Sequence, residues 1–321
     1  MKFFITGASG FVGGAATAHF VGKGHEVVAM SRSAASDEKI GRIGAATIRC
    51  SLGEVPEAAL AGCEAVIHAA AYVEEWGPYT AFYHVNVEGT HQLLQAARAA
   101  GVKRFIHIGT EAALFYGQDM VDVDESYPYP ETPFYYSRTK QKAEKLVLAA
   151  NAPGVFETVS VRPRMIWGPG DLTILPILME KVRRRQFVWI DGGNYRTSTT
   201  HIDNLVHAIE LALEKGRGGQ AYFVTDGEVH LFREFITSLL ATQGVEVKVG
   251  SMPRWLARSA GQMAESVWRT LGIKRTPPIT SFTAHILSAH CVLNDAKARE
   301  ELGYRPVISV SEGMRGLAKA G

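Results

Sequence analysis

The composition of this 321-residue chain is that of a globular protein, with 46% apolar and 21% charged residues. A net charge of +2 gives no electrostatic reason to bind nucleic acid, and the one basic run, at 183–185, is expected on a solvated helix face. Three cysteines without metal-ligand spacing predict a reduced, cytoplasmic protein with no metal site. No apolar stretch reaches the roughly 20 residues that span a bilayer, and the strand that starts at Lys2 leaves no room for a signal peptide.

A glycine-rich turn lies between the first predicted strand, at 2–6, and the first predicted helix, at 11–23. Gly7 permits a tight turn, Gly10 lets backbone amides approach a phosphate, and Gly13 lets the helix pack closely on the strand. The helix N-terminus then faces the negative charge. The motif predicts a dinucleotide site. Its expected contacts are Thr6, Gly7, Ser9, Gly10, Phe11, Val12 and Gly13.

Strands and helices alternate in the first half of the chain. Apolar strands are predicted at 26–30, 46–49, 65–68, 104–109 and 157–162, and long helices between them at 87–100 and 137–151. Continuous apolar strands separated by amphipathic helices are typical of a parallel sheet covered on both faces. The sequence therefore predicts an α/β fold with a doubly wound parallel sheet.

The alternation ends near residue 170, where short helices, a basic run and a Gly-Gly turn follow. We expect a dinucleotide-binding domain at 1–170, to which 197–228 returns. The segments 171–196 and 229–321 are expected to form a smaller, mostly helical C-terminal lobe that binds the substrate.

The residues after the second strand indicate which dinucleotide is used. An NAD enzyme usually has an acid there, which binds both ribose hydroxyls and repels a 2′-phosphate. This chain has Ser31 and Arg32 instead, with no acid until Asp37. Arg32 is suited to grip a 2′-phosphate, although it can also stack on adenine. The sequence predicts NADP(H), with NAD(H) as the alternative.

A tyrosine and a lysine four residues apart form the candidate acid–base pair. Because Tyr136 and Lys140 project from one face of a predicted helix, the ammonium is expected to lower the pKa of the phenol. Thr110 ends the strand at 104–109, at the sheet edge where open parallel sheets bind ligands, and can hydrogen-bond a substrate oxygen. The alternatives are a surface Tyr–Lys pair and a threonine that caps a turn before Glu111.

Together these motifs resemble the extended short-chain dehydrogenase/reductase superfamily, also called the NAD-dependent epimerase/dehydratase superfamily, which has a Rossmann fold. The likeness covers nearly the whole chain and includes HAAA at 68–71, NVEGT at 86–90, RP at 162–163 and HIDN at 201–204. Within the superfamily, GQAYFVTDG at 219–227 and LGYRP at 302–306 are similar to the 3β-hydroxysteroid dehydrogenase branch.

This resemblance implies a role for each candidate residue. Tyr136 would be the acid–base, Lys140 would hold the nicotinamide ribose and tune Tyr136, Thr110 would position the substrate oxygen, and Asn86 would support them. The cofactor contacts implied outside the glycine turn are Ser31, Arg32, Ser51, Leu52, Ala69, Ala70, Ala71, Asn86, Tyr136, Lys140, Pro163 and Met165.

Departures from the family pattern narrow the activity. Dehydratase relatives carry two acids after the threonine, whereas here Glu111 is followed by Ala112. Nucleotide-sugar relatives usually carry Asn where this chain has Arg164 and Met165. We expect interconversion of a ketone and a secondary alcohol. A dihydroflavonol-type reductase, a nucleotide-sugar epimerase and a catalytically silent dinucleotide-binding sensor stay open as alternatives.

Two further expectations rest on apolar patterns. A stripe within 252–273 is expected to line a soluble lid over an apolar substrate, sterol-like or β-keto acyl; a membrane surface and ordinary packing are the alternatives. Its members are Leu256, Ala260, Met263, Val267 and Leu271.

Apolar residues lie on more than one face of the helices predicted at 86–100 and 137–151, which predicts a homodimer. The resemblance implies that these helices pair across the dimer as a four-helix bundle. The apolar residues are Leu93, Leu94, Ala97, Leu146, Val147 and Ala150.

Overall fold

The computed structural model describes residues 1–320. Its strands are β1 (Lys2–Thr6), β2 (Glu26–Ser31), β3 (Ala46–Arg49), β4 (Ala65–His68), β5 (Arg104–Ile108), β6 (Met120–Val123), β7 (Glu157–Pro163), β8 (Ile166–Trp167), β9 (Trp189–Ile190), β10 (Arg196–Thr197), β11 (Thr200–His201), β12 (Gln220–Val224), β13 (His230–Leu231), β14 (Ser251–Met252) and β15 (Cys291–Leu293). Its helices are α1 (Phe11–Gly22), α2 (Ala34–Ile43), α3 (Tyr79–Tyr83), α4 (Gly89–Ala99), α5 (Tyr135–Ala149), α6 (Leu175–Arg183), α7 (Ile202–Lys215), α8 (Phe232–Ala241), α9 (Arg254–Thr270), α10 (Ser281–Ile286) and α11 (Val310–Ala320).

A seven-stranded sheet in the order β12-β7-β5-β4-β1-β2-β3 is the centre of the molecule, and all its strand pairs are parallel. The strand order reverses between β1 and β4. In open parallel sheets, ligands bind at the carboxyl ends of the strands beside such a reversal. The predicted doubly wound α/β fold is confirmed.

Two apolar layers cover the sheet. On one face, α1 and α7 pack on it through residues such as Phe20 and Leu205, and on the other α4 and α5 pack through Leu93 and Val147. All four residues of β4 are buried, as expected for a strand covered on both faces. The predicted strands and helices of this region match the observed bounds to within one or two residues. For the helix predicted at 87–100, the first two residues belong to a π-helical turn at His84–Glu88, and α4 begins directly after it.

Beyond β7 the chain forms short strands that its sequence pattern does not indicate. A small sheet in the order β13-β10-β15-β6 includes β6, which comes from the first half of the chain. Strands of two to four residues are too short for a period-two alternation to be recognised. A separate apolar cluster around Trp167, Trp189 and Phe235 holds this part together.

Helix α9 is oriented opposite to the prediction. The expected stripe faces solvent: Met263 and Leu271 are 68% and 67% exposed, and Leu256 and Val267 are also exposed. The polar side chains of α9 make the inward contacts instead. Arg254 pairs with Asp191, and Glu265 accepts a hydrogen bond from the Ser281 amide. The stripe therefore does not line a pocket, because only Ala257 and Gly261 of this helix are buried.

The apolar residues behind the predicted dimer are used within the chain. Leu93, Leu94, Ala97 and Val147 are buried in the core between the sheet and α4 and α5, and Leu146 and Ala150 pack at its edge. They need no second copy of the protein to cover them. The homodimer stays a prediction, with less support than the sequence pattern gave it.

Other composition-based expectations can be compared with the structure. The three residues of the basic run at 183–185 are exposed. Cys50, Cys63 and Cys291 are all free thiols. Within residues 1–320, no helix is both long and apolar enough to cross a membrane.

Candidate active site

The glycine turn between β1 and α1 has the shape of a phosphate cradle. Gly7 has a φ of 72°, and its carbonyl accepts a hydrogen bond from the Gly10 amide at 2.9 Å. A Cβ on Gly13 would lie 2.3 Å from the Gly7 carbonyl oxygen, so only glycine fits there. The first turn of α1 carries no acidic side chain. These features fit a dinucleotide diphosphate at the helix N-terminus.

A buried hydrogen-bonded chain supports the turn from the neighbouring strand. Thr6 Oγ1 lies 2.8 Å from His68 Nδ1 and accepts a hydrogen bond from the Ala70 amide. His68 Nε2 lies 2.8 Å from Thr90 Oγ1. Burial lowers the pKa of His68 to about 3, and the charge of Lys140 adds to this effect. The histidine is therefore neutral and serves to lock β1, β4 and α4 together.

The region after β2 is basic and partly open. Arg32 is exposed and, within the described part of the chain, makes no ion pair or side-chain hydrogen bond. Asp37 is occupied: hydrogen bonds from Ser31 and then from Arg49 lower its pKa, and Arg49 forms an ion pair with it. Lys39 Nζ donates a hydrogen bond to the Ser9 carbonyl at 2.6 Å. The two acids of this segment are thus paired, Asp37 with Arg49 and Glu38 with Arg42, and the Arg32 guanidinium is available to an anion.

Other predicted cofactor contacts lie along the same sheet edge. Ala69, Ala70 and Ala71 follow β4 and are half-buried, and Ser51 and Leu52 follow β3. Pro163 ends β7, and Met165, two residues later, has a φ of 41°. Thr6 and Ser31 end β1 and β2. The structure therefore brings these residues to one edge, which the carboxyl ends of the parallel strands share.

Asn86 lies in the π-helical turn and bridges two parts of the site. Its Oδ1 accepts a hydrogen bond from the Tyr72 amide at 2.7 Å, and its Nδ2 donates to the Tyr72 carbonyl and to Thr139 Oγ1, both at 3.1 Å. These bonds join the loop after β4 to α5. With its amide so engaged, Asn86 holds the loop beside the first turns of α5.

Tyr136 lies in the first turn of α5 and faces a cleft. Its ring packs edge-on against Phe282 of α10, with ring centroids 5.7 Å apart. Burial and the nearby charge of Glu111 raise the pKa of Tyr136, and the hydroxyl of Thr110 beside it lowers the pKa by a smaller amount. The expected lowering by Lys140 is not what the structure shows, because the balance of these effects favours the protonated phenol.

Lys140 is directed toward the strand beneath α5. Its Nζ donates a hydrogen bond to the Ile108 carbonyl at 2.8 Å and lies 3.4 Å from His107 Nε2. Burial lowers the pKa of Lys140 to about 8, although the charge of Glu144 opposes this. Burial likewise holds the pKa of His107 well below its ordinary value, so this imidazole is neutral and can accept a hydrogen bond from the lysine.

Thr110 follows β5 and begins a short 3₁₀ turn. Its Oγ1 caps the turn by accepting a hydrogen bond from the Ala112 amide at 3.2 Å, and it donates to Glu111 Oε2 at 2.7 Å. Glu111 Oε1 in turn pairs with Arg164 Nη1 at 2.5 Å, and both side chains are buried. Thr110 therefore caps a turn before Glu111, as the alternative interpretation of the sequence expected. Its hydroxyl also lies near enough to Tyr136 to affect the pKa of that phenol.

A second buried ion pair lies under the site. Glu144 of α5 accepts hydrogen bonds from Arg162 of β7, from Ser160 and from the Tyr129 hydroxyl. Burial opposes ionisation of Glu144, but the charge and hydrogen bonds of Arg162 hold its pKa below the ordinary value. Sequence reasoning missed this network and His107. Both could have been found from the strand sequences, because Arg162 and His107 each interrupt an otherwise apolar strand.

The cleft in front of Tyr136 has apolar walls and a polar mouth. The walls include Trp76, Phe82, Phe134 and Phe282. The Arg269 guanidinium lies between the rings of Trp76 and Tyr135, at 4.9 and 4.7 Å from their centroids, and donates a hydrogen bond to the Tyr135 hydroxyl at 2.9 Å. The other charged residues of the lining are Glu74, Glu75 and Glu265.

Comparison with known proteins identifies the family. The model of the 3-beta hydroxysteroid dehydrogenase/isomerase family matches residues 4–254. The chain belongs to this family. It is an NAD(P)-dependent dehydrogenase or reductase that uses a nicotinamide dinucleotide. The resemblance noted from its motifs is thereby confirmed.

Two relatives of this family member align over nearly their whole length. A 4-hydroxy-2-methyl-3-oxo-4-farnesyl-3,4-dihydroquinoline-1-oxide ketoreductase of Stigmatella aurantiaca is 42% identical over 100% of this chain and 97% of its own. A 2-alkyl-3-oxoalkanoate reductase of Stenotrophomonas maltophilia is 34% identical over 99% of this chain and 98% of its own.

Solved structures support the fold of this 3-beta hydroxysteroid dehydrogenase/isomerase family member. A dTDP-glucose 4,6-dehydratase of Streptomyces venezuelae superposes with a TM-score of 0.78, covering 99% of this chain and 96% of that chain. Its sequence is 20% identical, so the likeness concerns the fold alone.

Proposed function

We propose that this protein is an NADP(H)-dependent ketoreductase that interconverts an uncharged, mainly apolar ketone and its secondary alcohol. The observation that carries the proposal is the placement of Tyr136. Its phenol faces an apolar cleft, and Lys140 lies one turn further along the same helix, α5. Thr110 follows β5, the strand whose Ile108 carbonyl accepts a hydrogen bond from Lys140, at the sheet edge that holds the phosphate cradle.

The cofactor residues are assigned from the same edge. The amides of the turn at 7–13 would hold the diphosphate, and Arg32 would bind a 2′-phosphate through charged hydrogen bonds. Lys140 would bind the nicotinamide ribose, and the segment at 69–71 would lie beside it. When bound, the reduced dinucleotide supplies the hydride that forms the new C–H bond of the alcohol.

The protein supplies the proton. As the carbonyl carbon is reduced, the electron pair of the C=O π bond moves to oxygen, and Tyr136 donates its phenolic proton there to form the O–H bond. Burial and the Glu111 charge keep this phenol protonated, which suits reduction at neutral pH. The apolar walls of the cleft exclude water from the reacting carbonyl. Solvent protons then restore Tyr136.

The charges of the cleft favour an uncharged substrate. The cleft lining has three carboxylates (Glu74, Glu75 and Glu265) and one guanidinium (Arg269). The Arg269 guanidinium packs on the rings of Trp76 and Tyr135 and pairs with Glu265 at 3.6 Å. A carboxylate or diphosphate brought here would meet net negative charge. By charge, the uncharged ring ketone in the name of the Stigmatella aurantiaca enzyme suits this cleft better than an oxoalkanoate does.

The nucleotide-sugar alternative loses its basic anchors. Arg164 is buried and paired with Glu111, and the cleft lining includes neither Arg183 nor Arg196. Dehydration is disfavoured by the same pair, because the Glu111 carboxylate is held between Arg164 and Thr110. A silent sensor is disfavoured because Tyr136 and Lys140 are both present. A dihydroflavonol-type or β-keto acyl reductase remains a neighbouring alternative within the same chemistry.

The segments 171–196 and 229–321 are proposed as the substrate-binding lobe on the dinucleotide-binding domain of 1–170 and 197–228. In support, α9 and α10 supply Glu265, Arg269 and Phe282 to the cleft, although the exposed stripe of α9 does not. A homodimer is proposed on the family resemblance alone.

A substrate panel tests the proposal. Purified protein would be mixed with NADPH or NADH and a steroid ketone, a long-chain 2-alkanone or the 3-oxo acid of the same length. In parallel it would be mixed with NADP⁺ or NAD⁺ and a UDP-sugar, whose hydroxyls can only be oxidised. We expect NADPH oxidation with the neutral ketones, faster than with NADH. Turnover confined to the UDP-sugar, or no turnover with any ketone, contradicts the proposal.

A further inference from the structure

The charged side chains of helix α9 all contact the body of the protein. Each of the four makes an ion pair or a hydrogen bond with a residue outside the helix. The pairs are Arg254 with Asp191, Arg258 with Ser288, Glu265 with Ser281 and Arg269 with Tyr135. A helix on the surface of a protein in water normally has the reverse arrangement, with its charges outward and its apolar side chains inward.

The opposite face of α9, all of it within the described residues, is exposed and carries no charged side chain. We call its large apolar members the apolar face of α9; Trp255 among them is 68% exposed. They are Trp255, Leu256, Met263, Val267 and Leu271, which directly follows the helix. The exposed residues between them are Ser259, Gln262, Ser266 and Thr270. Single exposed apolar side chains are ordinary, but a contiguous group of them marks an interaction surface.

The chemistry and the size of the apolar face fit a lipid surface. A helix that lies in the interface of a bilayer has Trp and Leu on its lipid side and basic residues on the other, which is the distribution found in α9. A stable contact between proteins takes about 20–30 residues a side and has a polar rim. The apolar face offers five large side chains, which is fewer than such a contact needs.

Two cations follow the apolar face directly. Lys274 and Arg275 lie three and four residues after Leu271, and both are exposed. Within residues 1–320, neither of them makes an ion pair or a side-chain hydrogen bond, and the segment 272–278 contains no acidic residue. A cation close to an anionic lipid surface strengthens binding by about fivefold. The charge beside the apolar face is therefore complementary to anionic headgroups.

Helix α9 also separates this face from the cleft in front of Tyr136. Glu265 and Arg269, on the inward side of α9, line the cleft. The cleft is thus one helix, about 10 Å across, from whatever covers the apolar face. A bilayer in that position would hold dissolved apolar compounds beside the cleft.

We propose that α9 binds a membrane surface. Its apolar face enters the interface of a bilayer, and Lys274 and Arg275 bind anionic lipid headgroups. This placement goes beyond the proposed ketoreductase activity, and it is measured without turnover.

Co-sedimentation with vesicles tests the placement. The full-length protein would be mixed with vesicles of equal parts phosphatidylcholine and phosphatidylglycerol, and with vesicles of phosphatidylcholine alone. Wild type should bind the mixed vesicles. Met263→Glu puts a charge in the middle of the apolar face and should weaken this binding by about tenfold or more. Lys274→Gln combined with Arg275→Gln should weaken binding to the mixed vesicles by a similar factor and have little effect on phosphatidylcholine alone.

Val155→Glu is the matched control for Met263→Glu. Val155 is 57% exposed in the turn before β7, at the opposite edge of the sheet from the cleft, and its substitution changes the net charge by the same amount. This variant should bind the mixed vesicles as the wild type does. Equal binding by Met263→Glu and Val155→Glu, or no binding by the wild type, overturns the proposal.

Light scattering on the same proteins tests the other occupant, a second copy of the chain. A dimer that Met263→Glu dissociates means that protein covers the apolar face, which also overturns the proposal. The substrate panel keeps the two proposals apart. Vesicle binding without ketone turnover supports the membrane placement and contradicts only the proposed function, whereas ketone turnover without vesicle binding overturns only the placement.

Discussion

Replacing Gly13 by alanine is the sharpest perturbation of the phosphate cradle. The added Cβ would lie 2.3 Å from the Gly7 carbonyl oxygen and 2.5 Å from its carbon, where ordinary contacts begin at 3.4 Å. The obstructing atoms are backbone, so α1 and the turn must separate by about 1 Å. Overpacking of this kind costs about 1–3 kcal/mol of folding stability. Moving α1 away from the turn also withdraws backbone amides from the diphosphate, and loss of one hydrogen bond to a charged group should raise the NADPH dissociation constant roughly tenfold to a hundredfold.

Gly22 provides the control in the same helix. A Cβ there meets nothing within 4 Å, so Gly22→Ala should bind NADPH normally and be slightly more stable, since alanine favours helix over glycine. Binding would be followed by calorimetry, and folding by thermal melting. If Gly13→Ala bound NADPH within twofold of the Gly22→Ala protein, the diphosphate would not depend on this close approach.

Three further results are expected. Glu144→Gln leaves Arg162 buried without its charged partner and should lower the free energy of unfolding by about 3–5 kcal/mol. The control Glu180→Gln, at an exposed ion pair, should lower it by less than about 0.5 kcal/mol, and similar urea midpoints for the two variants would refute this. Arg32→Ala should reduce the kcat/KM preference for NADPH over NADH by about tenfold while leaving NADH use unchanged, and an unchanged preference would remove Arg32 from the site. Lys140 has a folded-state pKa of about 8 against 10.5, so the unfolded chain binds more protons between these values. The stability of wild type relative to Lys140→Met should therefore rise with pH in that range, and a fall would contradict the assignment.

The parallel sheet could be predicted because its strands carry unambiguous local signals. Runs such as Phe3-Phe4-Ile5 are buried on both sides and stand between helices of the right length. The site residues at the strand ends follow directly, since parallel strands bring their carboxyl ends to one edge. Tyr136 and Lys140 could be paired by spacing alone because helical geometry is regular.

What could not be predicted depends on partners distant in sequence. The helical period predicted for α9 was correct, but the period does not say which face of the helix packs inward. That face is set by Asp191, Ser281 and Tyr135, which bind the polar side chains of α9. Phe282 reaches the cleft through tertiary packing, for which its own sequence neighbourhood carries no signal. The raised pKa of Tyr136 likewise reflects burial and Glu111. Spacing on a helix reports none of these.

The central claim is that Tyr136 gives its proton to an apolar ketone, and one comparison tests it most directly. NADPH oxidation by a neutral long-chain ketone would be followed for the wild type, for Tyr136→Phe and for a control, Tyr83→Phe. Tyr83 is half-buried outside the cleft lining, with its ring 5.3 Å from Lys142 Nζ. Tyr136→Phe should bind NADPH as the wild type does but turn over about a hundredfold more slowly or worse, while Tyr83→Phe keeps its rate. A near-normal rate in Tyr136→Phe would contradict the account.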